Sequence, residues 1–167
     1  MRRVTFFACT RFVVTLIVLF LTASAWAGDT PRDRASLKNI SSMQVGVEKM
    51  QPDAERDGLT RSQTQTDIES RLRQSGITLD PSSPYLLYVA INTVRDPASP
   101  SYAYSVAVTF HQGVSLPRNP KSLHLATTWS VSHVGLVSAD HLRDVRSKVA
   151  DLVGQFISAY REQNPKQ

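Results

Sequence analysis

Cysteine is almost absent from this chain of 167 residues, which contains one, Cys9. One thiol can form neither an intramolecular disulfide nor a metal site of several thiolates, so both are excluded. The sequence also lacks G-x-S-x-G, a Gly-rich phosphate loop and H-E-x-x-H, which are short signatures of hydrolases, nucleotide-binding proteins and zinc proteases. The sequence therefore predicts no catalytic residue and no cofactor.

An apolar run long enough to span a membrane is missing as well. The main apolar run, from Phe12 to about Leu21, is shorter than the roughly 20 residues that a spanning helix needs. The basic residues before it are Arg2, Arg3 and Arg11, and the A-x-A cleavage pattern Ala25-Trp26-Ala27 follows it. These features are typical of a secretory signal peptide. We therefore expect residues 1–27 to be removed and the mature chain to be periplasmic or secreted. An uncleaved signal, which would tether the chain to the membrane, is the alternative.

The mature chain has no strong excess of either charge. Three of the 19 basic residues belong to the predicted signal, which leaves 16 basic against 14 acidic residues. A near-neutral domain gives no electrostatic reason to expect nucleic-acid binding. About 140 residues remain, the size of one domain. We expect a disordered lead-in at 28–37, a single domain at 38–163 and a frayed tail at 164–167.

Alternating apolar residues predict strands over 43–47, 77–79, 85–94, 102–116 and 123–131. Two helices are predicted as well. The first begins at Thr60, which fits a capping box with Gln63, and ends before Gly76. The second carries a broad apolar stripe from Leu142 to Tyr160. The order β-α-β-β-β-β-α predicts an α+β two-layer sandwich: a mainly antiparallel sheet of four to five strands with two helices on one face.

Four histidines remain in the mature chain: His111, His124, His133 and His141. A hairpin register that pairs Phe110 with Trp129 would place Ser115 opposite His124. His111 and His124 would then share one side of the sheet, about 13 Å apart, which is too far for one ion. The sequence thus predicts no histidine metal site.

The segment Asp53-Ala54-Glu55-Arg56-Asp57-Gly58 resembles the start of a calcium loop. Its twelfth position is Thr64, where such a loop requires a bidentate Glu. A polar turn explains the same residues, so no calcium site is expected.

The aromatic residues fall into two groups. Phe110 and Trp129 lie on the predicted core side of their strands, where packing explains them. Four tyrosines are predicted to cluster near one end of the sheet, and they are Tyr85, Tyr88, Tyr102 and Tyr104. A role in binding is one hypothesis for this cluster.

The side of the sheet that the helices leave uncovered is predicted to be small, polar and uncharged. The residues expected there are Ser105, Ala107, Thr109, Thr128, Ser130 and Ser132. Such a surface is either simply solvated or, because few charges would lose water, a place where a partner or a second copy docks. The binding residues suggested by the sequence are Ser105, Thr109, Thr128, Ser130 and Ser132.

The run from Gly58 to Ile77, with Thr128-Trp129-Ser130 and a final helix that ends at Asn164-Pro165, resembles a group of small exported bacterial proteins of unknown function. The resemblance covers most of the mature chain and implies no biochemical role. The element order is also similar to the two-layer periplasmic domains of the TolB amino-terminal and curli-secretion lipoprotein type. Those domains serve envelope assemblies by binding, but this chain lacks the cysteine after the apolar run that carries the lipid in such lipoproteins.

These observations favour an exported binding or accessory domain of the cell envelope that is not an enzyme. Its expected partner is an envelope protein or a second copy, with no nucleic acid and no stable membrane insertion after cleavage. The alternative is a hydrolase whose Ser, His and Asp come together from separate parts of the chain.

The first prediction concerns processing. Expressed in a bacterium with its own leader, the protein should lose residues 1–27, because Ala25 and Ala27 suit a peptidase that selects small residues. Intact-mass measurement of the exported protein checks this. Recovery of membrane-bound protein that still begins at Met1 would favour the tethered subunit instead.

Overall fold

The computed structural model describes residues 28–165, and the predicted signal peptide lies outside the described residues. Within that range no helix is both long and apolar enough to cross a membrane. The elements, in chain order, are α1 (Pro31–Ala35), β1 (Ser42–Val47), α2 (Pro52–Arg56), α3 (Arg61–Gln74), β2 (Thr78–Leu79), β3 (Leu86–Arg95), β4 (Ser101–Leu116), β5 (Asn119–Ser138), a 3-10 helix (Ala139–Asp144) and α4 (Val145–Gln163).

The five strands form one mixed sheet in the order β2-β1-β3-β4-β5. Strand β1 is parallel to both neighbours, which is possible because α2 and α3 return the chain between β1 and β2. Strands β3, β4 and β5 are antiparallel and joined by short turns. The predicted α+β sandwich of a sheet and helices is confirmed.

The two long helices cover one side of the sheet, which we call the helix face. Helix α3 packs against β1 and β2, and α4 packs against β4 and β5. At the centre of the core, the Phe156 ring of α4 lies 5.2 Å from the Trp129 ring and 5.6 Å from the Phe110 ring. Thr60 is the N-cap residue of α3, but its side chain makes no bond to the helix backbone, so the predicted capping box does not form there.

The segment 28–37, which we expected to be disordered, is instead folded against β5. Thr30 and Asp33 form a capping box at the start of α1. The Asp29 carboxylate, 4% exposed, accepts a 2.7 Å hydrogen bond from Trp129 Nε1 and binds the Arg34 guanidinium at 2.6 and 2.8 Å. Leu37 is fully buried. The polar composition of this segment suggested disorder. The buried Asp29 carboxylate, however, accepts two hydrogen bonds from Arg34 and one from Trp129, and these bonds fix the segment.

Asn164, which we expected to belong to a frayed tail, is instead held in place. Asn164 ends α4, and its side-chain oxygen accepts from the Asn39 backbone amide at 2.8 Å. Its side-chain amide donates to the Leu37 carbonyl at 2.7 Å. The two ends of the described chain are therefore joined at one corner of the domain.

The pairing of β4 with β5 changes register at a β-bulge. Phe110 pairs with Trp129, as the predicted register requires. The next pair is His111 with Thr127, which leaves Thr128 as the extra residue. Side chains alternate between the two sides of a strand. After this one-residue shift, each β5 residue before Thr128 therefore points to the side opposite to the one that the predicted register gives it.

A substitution pair tests the two sides of the sheet. Trp129→Ala should lower the free energy of unfolding by roughly 3 to 5 kcal/mol, because it removes a buried aromatic side chain and one donor to Asp29. Ser132→Ala, three residues away and exposed, should cost about 0.5 kcal/mol or less. Urea unfolding followed by far-ultraviolet circular dichroism measures both. Similar losses for the two variants would contradict the assignment of sides.

Candidate functional site

The side of the sheet opposite the helices is a broad surface on β3, β4 and β5, which we call the outer face. Its side chains alternate with the buried residues of the same strands, and ladder partners share it. It consists of Leu86, Tyr88, Ala90, Asn92, Val94, Ala103, Ser105, Ala107, Thr109, His111, Gly113, Ser115, Leu123, Leu125, Thr127, Ser130, Ser132, Val134 and Leu136.

The outer face, which Leu123 and Leu136 bound along β5, carries no formal charge; Lys121 lies on the same strand just beyond Leu123. None of its residues is Asp, Glu, Lys or Arg, although these types make up 20% of the chain. The charged side chains of the described residues lie instead on the helices, at the strand ends and in the loops. A partner that docks on the outer face would therefore remove no ionised group of this chain from water.

Every exposed large apolar side chain among the described residues belongs to the outer face. Val94, Val134 and Leu136 lie at one end and are 70%, 74% and 81% exposed. Leu123 and Leu125 lie at the other end and are 76% and 69% exposed. Scattered apolar side chains on a surface are ordinary, but a set confined to one uncharged sheet face is typical of an interaction surface.

The centre of the outer face is lined with hydroxyl groups. The Thr109 hydroxyl lies 2.8 Å from His111 Nε2, and the Thr127 hydroxyl lies 3.4 Å from His111 Nδ1. The Tyr88 ring meets the imidazole edge-on, with ring centroids 6.1 Å apart. Because both ring nitrogens of His111 face hydroxyls, this histidine has no carboxylate to orient it as the base of a hydrolytic triad.

Four of the five binding residues suggested by the sequence lie on the outer face, namely Ser105, Thr109, Ser130 and Ser132. Thr128 does not, and its prediction was wrong. The bulge turns it to the helix face, where its hydroxyl accepts a 2.7 Å hydrogen bond from Gln112 Nε2. The same bulge brings Leu123 and Leu125 to the outer face, whereas unbroken alternation from Trp129 would have placed them on the helix face. Apolar–polar alternation was the only signal that the sequence offered here, and it does not reveal a one-residue shift.

Ser130 borders the folded N-terminal segment. Its backbone amide donates to the Gly28 carbonyl at 3.0 Å. A Cβ atom on Gly28 would fall 2.3 Å from Ser130 Oγ, and Gly28 has a φ of +96°, so this position requires glycine. Ser132 is thus the better place to alter the outer face without disturbing the fold.

The predicted tyrosine cluster does not form. Tyr102 and Tyr104 are buried on the helix face, and the Tyr102 hydroxyl donates to Asp57 at 2.7 Å. Tyr85 stacks on Phe110 with centroids 6.2 Å apart. Tyr88 alone of the four lies on the outer face. The antiparallel register pairs Tyr102 and Tyr104 with Arg95 and Thr93, at the other end of β3 from Tyr88.

The four histidines are spread over the domain. His111 lies on the outer face, whereas the bulge pairs His124 with Val114 on the opposite side, so the expected shared side was wrong. His133 pairs with Val106 and lies near the Tyr104 ring. Within residues 28–165, no three His, Cys, Asp or Glu side chains are grouped as a metal site would require.

His141 is the histidine that contacts carboxylates among the described residues. Its Nδ1 lies 2.9 Å from Asp144, and Asp140 lies 3.7 Å from Nε2. The hydrogen bond to Asp144 and the charge of Asp140 raise the pKa of His141. Both ring nitrogens of His141 therefore face carboxylates, and within residues 28–165 no hydroxyl is hydrogen-bonded to this ring as a hydrolytic triad requires.

The acidic segment Asp53 to Asp57 is mainly helical. Asp53 bonds the backbone amide of Ala54 at 3.0 Å, at the start of α2. Asp57 accepts from the Tyr102 hydroxyl and lies 3.7 Å from the Arg95 guanidinium. The helical spacing places Asp53 and Asp57 on one side of α2, near Tyr102, and Glu55 on another side. The three carboxylates therefore do not enclose one ion as a calcium loop does.

A groove of about 750 Å³ runs between α3 and α4. Its side chains are largely engaged with one another. Arg146 binds the Asp67 carboxylate, and Arg71 donates to the Ala150 carbonyl at 3.0 Å. These contacts hold the two helices together, so we assign the groove a structural role.

Comparison with known proteins does not place the chain in a family. No family model matches it, and no curated protein matches it. Among solved structures, the chain is similar to a dodecamer of a PelC variant from Paraburkholderia phytofirmans, with a TM-score of 0.40 and 16% sequence identity. The match covers 72% of this chain and 86% of that chain. A likeness of this size assigns neither an activity nor an assembly, and the resemblances inferred from the sequence stay predictions.

The metal prediction can be tested by stability. Neither a chelator nor added calcium should change the melting temperature, because the carboxylates of Asp53, Glu55 and Asp57 do not converge. Thermal unfolding followed by circular dichroism, with buffer alone as the control, gives the answer. A ligand that binds the native state alone would raise the melting temperature, so a rise of several degrees with calcium would overturn this prediction.

Proposed function

We propose that this chain is a non-catalytic binding domain of the cell envelope, working outside the cytoplasm and docking a protein partner on its outer face. One observation carries the proposal. The outer face combines a complete lack of formal charge with all the exposed large apolar side chains of the described residues.

The physical reason is the balance between burying apolar groups and desolvating polar ones. Burial of Val94, Leu123, Leu125, Val134 and Leu136 is favourable at roughly 25 cal/mol per Å² of apolar area. The hydroxyl groups between them are easily satisfied by a partner or by bridging water. No ion on this face opposes docking through a large desolvation penalty.

The shape of the outer face favours a macromolecule over a small molecule. Small ligands bind in concave pockets that bury most of their surface. The outer face is instead an open sheet surface held by hydrogen-bonded ladders from Leu86 to Leu136. An open surface of this kind matches the surface of another folded protein.

The chemistry of the described histidines supports a binding role over hydrolysis. His111 faces two hydroxyls, and His141 has a carboxylate beside each of its ring nitrogens. A triad needs a histidine between a hydroxyl and a carboxylate. The location outside the cytoplasm is supported by the predicted signal peptide at residues 1–27.

Site-specific photo-cross-linking tests the proposal in cells that make the protein. A photoreactive amino acid at Ser132 should give a discrete adduct of higher mass, because this exposed position lies in the middle of the outer face. The matched control is Ser158, an exposed serine on α4. It should give no such adduct.

A second set of variants separates docking from folding. Leu136→Arg, combined with the cross-linker at Ser132, should remove the adduct while the melting temperature stays within a few degrees of the parent. Ser158→Arg should leave the adduct in place. The proposal is wrong if Ser132 yields no adduct, or if Leu136→Arg leaves its yield unchanged.

A further inference from the structure

We infer that the partner of the outer face is a second copy of this chain, stacked face to face about a two-fold axis. The inference rests on the proposed function, since both use the outer face. It adds the identity of the partner and the arrangement of the two molecules.

The outer face has the same pattern when read from either end. Along β5, apolar Leu123 and Leu125 come first, hydroxyl side chains follow, and apolar Val134 and Leu136 come last. Consider two outer faces packed together, with a two-fold axis between them that runs perpendicular to the strands and passes near Ser130. The Leu123 end of β5 in one copy would then lie against the Leu136 end of β5 in the other copy. Apolar groups would then meet apolar groups, and hydroxyls would meet hydroxyls.

The lack of charge makes this self-match possible. A two-fold axis brings each surface against its own copy, so residues near the axis meet their equivalents. Like charges that meet in this way oppose association. The outer face contains no Asp, Glu, Lys or Arg that could produce such a contact.

The area is sufficient for a stable dimer. The outer-face segments 86–94, 103–115 and 123–136 together hold about 36 residues, which cover roughly 600 Å² at about 3.4 Å per residue and about 4.8 Å between strands. Two copies would cover roughly 1,200 Å² in total, which exceeds the approximate 1,000 Å² of specific interfaces. Sheets that pack face to face do so about 10 Å apart with strands rotated by about 30°.

Pairing of two copies through the free edge of β5 is blocked at its middle. The Ser130 amide already donates to Gly28, and the Ser36 hydroxyl reaches the Thr128 carbonyl at 3.3 Å. Asp29, bound to Trp129 and Arg34, anchors this segment. A continuous edge-to-edge ladder through β5 would have to displace this segment, which disfavours self-association through that edge.

Other occupants match the outer face less well. A glycan needs aromatic rings on which to stack, and Tyr88 is the single aromatic side chain on this face besides the imidazole of His111. A membrane surface with anionic lipids attracts basic residues, which this face does not have. An unrelated protein is the remaining competitor, and the experiment distinguishes it.

Sedimentation velocity of the protein exported and purified with its own leader sequence tests the inference. The parent should form dimers whose fraction rises with concentration. Leu136→Arg and Leu125→Glu should each weaken the dimer by at least about tenfold, because each buries an unpaired charge against an apolar side chain. Ser158→Arg should dimerise as the parent does.

Mixing the two variants gives the decisive measurement. In the two-fold arrangement, the new arginine of the Leu136→Arg copy would meet the new glutamate of the Leu125→Glu copy, and the second contact would remain Leu125 against Leu136. The mixture should therefore regain dimers that neither variant forms alone. Both positions are well exposed, so folding should survive, and circular dichroism of each variant verifies this.

The outcomes separate this inference from the proposed function. A Ser132 adduct with the mass of two chains supports both. A monomeric parent whose Ser132 adduct contains a different protein refutes the second copy and keeps the proposed function. A dimer that survives Leu136→Arg, or a mixture that stays monomeric, refutes the arrangement. A monomeric parent without any adduct refutes both.

Discussion

The long pairing of β4 with β5 decides which side chains reach each side of the sheet, and the rest of the domain depends on it. Its central pair, Phe110 with Trp129, points both aromatic rings toward Phe156 of α4. One residue further, the bulge leaves Thr128 unpaired and reverses the alternation along the first part of β5. Without that reversal Leu123 and Leu125 would point to the helix face, and the outer face would be apolar at one end alone.

On the helix face, the pairing of β4 with β5 also determines a set of polar contacts. Trp129 brings an indole N–H into the core, and a buried donor needs an acceptor. Asp29 supplies it, and Arg34 then neutralises the Asp29 carboxylate while also binding Glu162. One aromatic side chain on β5 thus accounts for the order of a segment whose own composition is that of a loop.

Much of the fold could be predicted from the sequence, because apolar periodicity reports which face of an element is buried. The α4 stripe and the inward position of Trp129 follow from that pattern alone. The position of Thr128 and the order of residues 28–37 could not be predicted in this way. A bulge depends on the geometry of a neighbouring strand, and the fixing of Asp29 depends on a partner 100 residues away. The alternation along β4 therefore indicated which side of the sheet the helices leave uncovered, but it did not indicate the apolar ends of that side.

An uncharged recognition surface has a particular physical character. Such a surface has no long-range electrostatic attraction for its partner. Its association rate constant would therefore be that of protein pairs without electrostatic steering. Discrimination must come from the positions of apolar and hydroxyl groups, since there is no charge pattern to reject a wrong partner. For a face that meets its own copy this is an advantage, because any charge near the symmetry axis would be presented twice. In this domain the charged residues lie on the helices, at the strand ends and in the loops, and the outer face has none. This distribution of charge is the main physical argument for the proposed interaction role.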